Sequence, residues 1–109
     1  MPQTHRVLGQ SNPSATTDTT LYTVPSATQT IASTLSIANL GTAATTYRVA
    51  IRPAGATLAN QHYVAFDVPI PGNDTVGLTL GLTLAATDVV TVRAGNASVA
   101  FSLFGCEIT

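Results

Sequence analysis

Apolar and polar residues alternate along most of this chain with the period of two that is typical of β-strands. The clearest case is the segment 45–52, where Tyr47, Val49 and Ile51 point to one side of the predicted strand. Similar patterns cover residues 19–24, 29–40, 62–68, 75–84, 89–94 and 99–103. The sequence shows no apolar stripe of useful length with helical spacing. The pattern therefore predicts a chain that is β almost throughout.

Turn residues separate these segments at intervals of about ten residues, as in small all-β domains. Pro53 and Gly55 end one segment, and Gly95-Asn96 separates the last two. A parallel sheet is excluded because no segment predicts a crossover helix. We expect an antiparallel β-sandwich of seven to eight strands, either a jelly roll or an immunoglobulin-like fold. The repeated Gly-Leu-Thr-Leu at 77–84 indicates one long strand with a kink at Gly81.

The first eighteen residues lack this periodicity. Proline, glycine, serine and threonine dominate them, and Val7-Leu8 is a short apolar pair between polar flanks. We interpret residues 1–18 as an extended N-terminal arm and residues 19–109 as the sandwich domain. The arm is expected to be mobile in the free protein and to bind a neighbouring molecule through Val7 and Leu8.

The alternation also predicts which side chains fill the core. We expect the buried residues to include Tyr47, Val49, Ile51, Phe66, Val76, Leu78, Leu80, Val90, Val92, Val99, Phe101 and Leu103.

Composition limits the function classes. Apolar residues make up 45% of the 109 residues, but only 8% are charged, against about 25% in ordinary domains. The four basic residues are all arginine and the net charge is −1, which argues against a nucleic-acid partner. Polar residues interrupt every apolar stretch well short of a membrane span. A surface with so little charge suits a protein that is covered by copies of itself or by partners.

Candidate catalytic groups are few and stand in no recognisable motif. His5 falls in the arm and His62 opens a strand, where we expect a hydrogen-bonded structural role. The single cysteine, Cys106, lies between Phe104 and Glu107 and is expected to be a small buried residue. We therefore expect no enzyme activity, no catalytic residue, no cofactor and no metal ligand.

The remaining candidates are the strand-borne arginines Arg48, Arg52 and Arg93. Their planar guanidinium groups suit contacts with carboxylates of the same copy or of another copy. We predict them, with Val7 and Leu8, as interaction residues. A sugar-binding module is an alternative, but the chain has no tryptophan and offers only Tyr22 and Tyr63 as stacking surfaces.

Several segments together resemble a family of small virion structural proteins of tailed bacteriophages, of roughly a hundred residues. The resemblance covers nearly the whole chain from Val7 onward and marks a lineage rather than an active site. Its segments are Val-Leu-Gly-Gln at 7–10, Leu-Tyr-Thr-Val-Pro at 21–25, Thr-Thr-Tyr-Arg-Val-Ala-Ile-Arg-Pro-Ala-Gly at 45–55, His-Tyr-Val-Ala-Phe-Asp at 62–67, Asn-Asp-Thr at 73–75, Ala-Ala-Thr-Asp-Val-Val-Thr-Val at 85–92 and Phe-Gly-Cys-Glu-Ile at 104–108. Cys106 departs from the small residue, such as serine, that the resemblance leads us to expect.

The resemblance implies a non-enzymatic β-sandwich that is made in the bacterial host cytoplasm and assembles on the virion. A capsid decoration (cement) protein, bound over the major capsid protein lattice, is the first expectation. A tail, baseplate or fibre-attachment component is the second, with tail proteins as partners. In either place we expect a homo-oligomer, most simply a homotrimer, with no nucleic-acid or membrane partner.

Overall fold

The chain folds into nine β-strands in a computed structural model that describes residues 3–79 and 81–109. The strands are β1 Gln3–Ser11, β2 Thr19–Thr23, β3 Gln29–Asn39, β4 Thr45–Arg52, β5 Tyr63–Ile70, β6 Thr75–Leu78, β7 Leu82–Leu84, β8 Val89–Ala94 and β9 Val99–Ile108. Two short 3-10 turns, Pro53–Gly55 and Asn60–His62, lie between β4 and β5. No helical segment in this part of the chain is long and apolar enough to cross a membrane.

The strands form two antiparallel sheets packed face to face. One sheet has the order β1-β9-β3-β6, with β7 also paired to β3, and the other has the order β2-β8-β4-β5. The first strand thus pairs with the last and the second with the last but one. Further inward, β3 pairs with both β7 and β6, and β4 pairs with β5. A long hairpin wrapped in this way is a jelly roll. The predicted all-β sandwich is confirmed, with nine strands instead of the expected seven to eight, and the strand order selects the jelly roll over the immunoglobulin-like fold.

Strands β6 and β7 lie along the same edge of β3. β6 pairs with residues 35–38 and β7 with residues 30–32. Between them the backbone of Gly81 has a φ of +61°, a conformation that glycine adopts without a steric penalty. The expected single strand with a kink at Gly81 corresponds to these two strands.

The core lies between the sheets, where the inward side chains of β3, β4, β8 and β9 meet. Burial of each large apolar side chain there contributes about 1.5–3 kcal/mol. The predicted core residues that are buried are Tyr47, Val49, Val90, Val92, Val99, Phe101 and Leu103. Ile51, Val76 and Leu78 are partly buried and pack against them. Leu80 lies outside the described residues.

The prediction that Phe66 lies in the core is wrong, since its side chain is 53% exposed. Phe66 and Asp67 together stand opposite a single residue of β4, which makes a β-bulge. Asp67 there has a φ of +50°. The bulge shifts the alternation of β5 by one residue, so that Ala65 before it and Val68 after it face the core. A strict period of two therefore assigned Phe66 to the inner face.

The interpretation of residues 1–18 as an arm outside the sandwich also needs correction. Residues 3–11 form β1, an edge strand of the five-stranded sheet, which pairs with β9 from Gln3 opposite Ile108 to Ser11 opposite Phe101. Leu8 is the only residue of β1 that is buried. An edge strand with a single buried residue gives no apolar alternation, which explains why the sequence pattern missed it.

Hydrogen bonds also attach the segment between β1 and β2 to the sandwich. The Asn12 side-chain amide donates to the carbonyl oxygens of Ala97 and Val99 at 3.0 and 2.7 Å. The Thr16 amide donates to the carbonyl oxygen of Ala94 at 2.8 Å. The expected arm is thus part of the domain wherever the structure describes it; Met1 and Pro2 lie outside the described residues.

Gly9 allows β1 to approach β2 closely. A Cβ atom at this position would lie 2.2 Å from the carbonyl oxygen of Leu21, which is far inside van der Waals contact. The two sheets therefore meet at this corner only with glycine in β1.

Candidate interaction surfaces

The three predicted arginines lie on the outer face of the four-stranded sheet. Arg48 and Arg52 lie four residues apart in β4 and so share one face of the strand, and Arg48 stands directly opposite Arg93 of β8. Residues paired in this way share one face of a sheet. The three arginines, which lie up to 45 positions apart in the sequence, thus share one face of this sheet.

Arg48 is held by neighbours from β5. Its Nε and Nη2 atoms donate to the two carboxylate oxygens of Asp67 at 2.6 and 3.1 Å, which is a two-pronged ion pair. The guanidinium carbon lies 4.0 Å from the centre of the Phe66 ring, and the Tyr63 and Phe66 rings pack edge to face with 4.9 Å between their centroids. The hydrogen bond from Arg48 lowers the pKa of Asp67 below its usual range and raises the pKa of Arg48.

Arg52 has a structural role at the end of β4. Its Nε atom donates to the carbonyl oxygen of Ala56 at 2.7 Å and its Nη2 atom to that of Gly55 at 3.1 Å. Asp88 supports the same region by accepting a hydrogen bond from the Ala54 amide at 2.9 Å. Two of the three hydrogen bonds of the Arg52 side chain therefore go to the turn after β4, and the third goes to the Thr91 hydroxyl at 3.4 Å.

Arg93 borders a small pocket. Its Nη1 atom lies 3.8 Å from a carboxylate oxygen of Asp18, which is too long for a hydrogen bond. The pocket has a volume of about 220 Å³ and is lined by Arg93, Arg48, Asp67 and the Thr16 and Thr46 side chains, among others. Guanidinium, carboxylate and hydroxyl groups in one hollow can hydrogen-bond a polar group of a partner.

The outer face of the five-stranded sheet is different, because none of its described outward positions carries a charge. The cross-strand rows contain histidine, cysteine, serine, threonine, glutamine, glycine and apolar residues. From one end to the other, the rows on β1, β9 and β3 are Gln3-Ile108-Gln29, His5-Cys106-Ile31, Val7-Phe104-Thr34 and Gln10-Ser102-Ser36, followed by Ala100-Ala38 on β9 and β3. β6 and β7 add Thr75, Gly77 and Thr83. We call this surface the uncharged face.

One end of the uncharged face is apolar and hollow. We define the apolar patch as Val7, Ile31, Phe104, Cys106 and Ile108. Val7 and Ile31 are 44% and 45% exposed, and the other three residues are half-buried. A shallow hollow of about 520 Å³ runs over this end of the sheet.

The predicted pair Val7 and Leu8 is divided between two surfaces. A register shift in β1 between Val7 and Gly9 places Leu8 in a bulge. Leu8 is 7% exposed and belongs to the core of its own domain, whereas Val7 joins the apolar patch. Only Val7 of the two therefore remains available to a partner.

A buried polar cluster between the sheets was not found by the sequence analysis. The Tyr22 hydroxyl donates to Glu107 Oε2 at 2.5 Å and lies 2.9 Å from the Thr30 hydroxyl. Arg6 Nη1 contacts Glu107 Oε1 at 3.2 Å. Burial, followed by the hydrogen bond with Glu107, raises the pKa of Tyr22 to about 12. Among the described residues, the arginine that pairs with Glu107 is therefore Arg6 and not one of the three predicted arginines.

His5 and Cys106 lie opposite each other on the uncharged face, and His62 lies apart from them at the start of β5. His62 Nδ1 accepts a hydrogen bond from the Ala59 amide at 3.0 Å, which confirms its structural role at the start of β5. Cys106 is half-buried and lies opposite His5 on the uncharged face, so the expectation of a buried thiol is wrong. The described residues form no group of three or more potential metal-binding side chains.

Comparison with known proteins adds no assignment to these surfaces. No protein-family model matches the sequence, and no curated protein is significantly similar to it.

Proposed function

We propose that this chain is a non-enzymatic structural protein of a tailed-phage virion, and specifically a decoration protein that binds over the major capsid protein lattice. The sequence segments that resemble small virion proteins support this proposal. A jelly roll is compatible with it, since the fold occurs in viral capsid proteins as well as in lectins. Because one fold serves many functions, the function has to be inferred from the chemistry of the surfaces.

The single observation that carries the proposal is the division of charge between the two outer faces. Arg48, Arg93 and Asp67 lie on one side of a slab with extents of 45 × 27 × 19 Å, and the opposite side has no charge at its described outward positions. Two chemically distinct faces on a thin domain suit a subunit that contacts different neighbours on its two sides. Such contacts are what a protein in an assembled lattice makes.

The test is to locate the chain in particles of the phage that encodes it. Protein mass spectrometry of purified particles is expected to detect the chain, and a cryo-electron microscopy map is expected to show it at regular positions over the capsid. Density confined to one level of the tail would support a tail or baseplate component instead. Absence of the chain from purified particles would contradict the whole proposal.

A sugar-binding module is the second candidate, and one observation favours it. The exposed ring of Phe66, which packs edge to face with Tyr63, lies beside the Arg48–Asp67 ion pair, and an exposed aromatic ring beside polar groups offers the apolar and hydrogen-bonding contacts that a sugar makes. The Arg48 guanidinium covers one face of the Phe66 ring, which leaves less surface for stacking. Binding to a glycan panel that is lost in Phe66→Ala would favour this function over the first.

A further inference from the structure

We propose that the uncharged face is a contact between two copies of this chain, stacked sheet against sheet about a two-fold axis. This inference goes beyond attachment to a particle, because it assigns a symmetric contact to one named surface of the protein.

The absence of charge at the described outward positions favours a second copy as the occupant. A two-fold contact brings a surface against itself, so a charge near the axis is buried beside its own copy and a charge elsewhere is left unpaired unless an opposite charge lies at the matching position, at a high energetic cost. The uncharged face avoids that cost. On the opposite side of the molecule, self-stacking would bury Arg48 and Arg93 against a second pair of the same residues.

Arg6 is the charged residue that borders the hollow in the described structure, and it need not be buried by stacking. Its guanidinium group points to Glu107, at 3.2 Å, while Val7 and His5 on either side of it in sequence are on the outward side. The charge therefore lies at the rim of the contact, where solvent screens it.

The size of the face also fits a dimer. β9 is ten residues long, which gives the face a length of about 33 Å at a rise of about 3.3 Å per residue. The sheet is four strands wide, since β6 and β7 lie along the same edge of β3. With strands about 4.8 Å apart, the face covers roughly 600 Å². Two copies would bury about 1,200 Å² together, which is the lower end of the range for specific interfaces. Val7 and Ile31, each almost half exposed, would lose their contact with water.

Such stacking has two-fold symmetry and gives a dimer. The homotrimer expected from the sequence would need a three-fold contact instead. The mass of the free protein in solution separates the two possibilities.

Analytical ultracentrifugation of the full chain tests the proposal. We expect the wild type to be mainly dimeric at about 500 µM, and Ile31→Lys to weaken the dimer at least about tenfold by placing a buried charge in each copy. Val64→Lys is the matched control, since Val64 is 47% exposed on β5 of the other sheet and Ile31 is 45% exposed. The control is expected to leave the dimer unchanged. Thr34→Lys, at the next row of the face, is a second variant should Ile31→Lys fail to fold.

A wild-type monomer or trimer at that concentration overturns the proposal. Equal weakening by Val64→Lys, or a dimer that resists both Ile31→Lys and Thr34→Lys, overturns it as well, since the contact would then lie elsewhere. These measurements use purified protein and do not depend on the proposed virion function. Absence of the chain from particles would contradict that function and leave the dimer measurement standing.

Discussion

The outer faces of the two sheets are both largely polar but differ in how their polar groups are used. On the four-stranded sheet, Arg48 is bound to Asp67 and lies over Phe66, and Arg52 is bound to backbone carbonyl groups. On the five-stranded sheet the outward polar groups are hydroxyls, amides and the His5 imidazole, beside the apolar patch. Few of their side chains contact one another; Gln10 and Ser102 do, at 3.3 Å.

This difference shows that a chain with few charged residues can place them on one face and leave the opposite face neutral. Charged groups that bind one another within the chain are already ordered, and burying them against a second copy of the same surface costs desolvation energy. Neutral groups and exposed apolar side chains can be covered by another sheet at little electrostatic cost. The four predictions that follow test this contrast, and they are ordered by the size of the expected effect.

Deletion of residues 2–12 is expected to have the largest effect. It removes β1, which unpairs one side of β9 and exposes the core beside Leu8. We expect loss of the cooperative unfolding transition in circular dichroism, in contrast to the mobile arm that the sequence analysis expected. As a milder pair, Leu8→Ala should cost about 2–3 kcal/mol and Val7→Ala less than about 1 kcal/mol. A deletion variant that unfolds like the wild type would show that β1 contributes nothing to the fold.

The second prediction contrasts two phenylalanines. Phe101 is fully buried between the sheets and Phe66 is 53% exposed. Phe101→Ala is therefore expected to lower the free energy of unfolding by about 3–5 kcal/mol. Phe66→Ala should lower it by less than about 1 kcal/mol, as is usual for exposed positions. Urea denaturation measures both values, and similar losses for the two variants would contradict the position of β5.

The third prediction concerns the buried cluster of Tyr22 and Glu107. The pKa of Tyr22 is raised to about 12 in the folded protein, against about 10 when unfolded. The contribution of this raised pKa to the free energy of unfolding is fully present below pH 10 and is lost as the pH rises through 12. At about 1.4 kcal/mol per pKa unit, the loss reaches about 2–3 kcal/mol.

Tyr22→Phe is the corresponding variant. It should remove the steep part of this alkaline loss and cost about 1–3 kcal/mol at neutral pH, because the buried Glu107 carboxylate loses a donor. Urea unfolding at pH 8, 10 and 11.5 measures both effects. An unchanged alkaline slope in the variant would contradict the assignment to Tyr22.

The smallest effect is expected at the Arg48 cluster. Arg48 holds the pKa of Asp67 below its usual range, so this contribution to stability is present at neutral pH and lost as the pH falls through the folded-state pKa of Asp67. Arg48→Met should return the pKa of Asp67 towards its ordinary value, as measured by NMR titration. The melting temperature should change less than in Tyr22→Phe. An unaltered Asp67 pKa would show that the ion pair does not persist in solution.

The sequence predicted the fold class and most of the core because strands such as β4 and β8 keep a regular alternation. It failed where a bulge changes the period, as at Phe66 and Asp67, and where an edge strand buries only one residue, as with Leu8 in β1. Of the candidate interaction residues, Arg48, Arg52 and Arg93 do share a face. The uncharged face could not be foreseen, because it depends on which strands of a jelly roll become neighbours.

The central position of β9 has a consequence for how the protein folds. β9 lies between β1 and β3 but follows all the other described strands in the chain, so β1 and β3 cannot be joined into one sheet before β9 has been synthesised. The β4–β5 hairpin, by contrast, joins strands that are adjacent in the chain and can form early. Since pairing between distant segments is slow, we expect the edges of β1 and β3 that face β9 to stay unpaired until β9 joins them. We therefore expect the pairing of β9 with these two strands to be the step that removes their exposed edges, which are potential sites of aggregation in β-proteins.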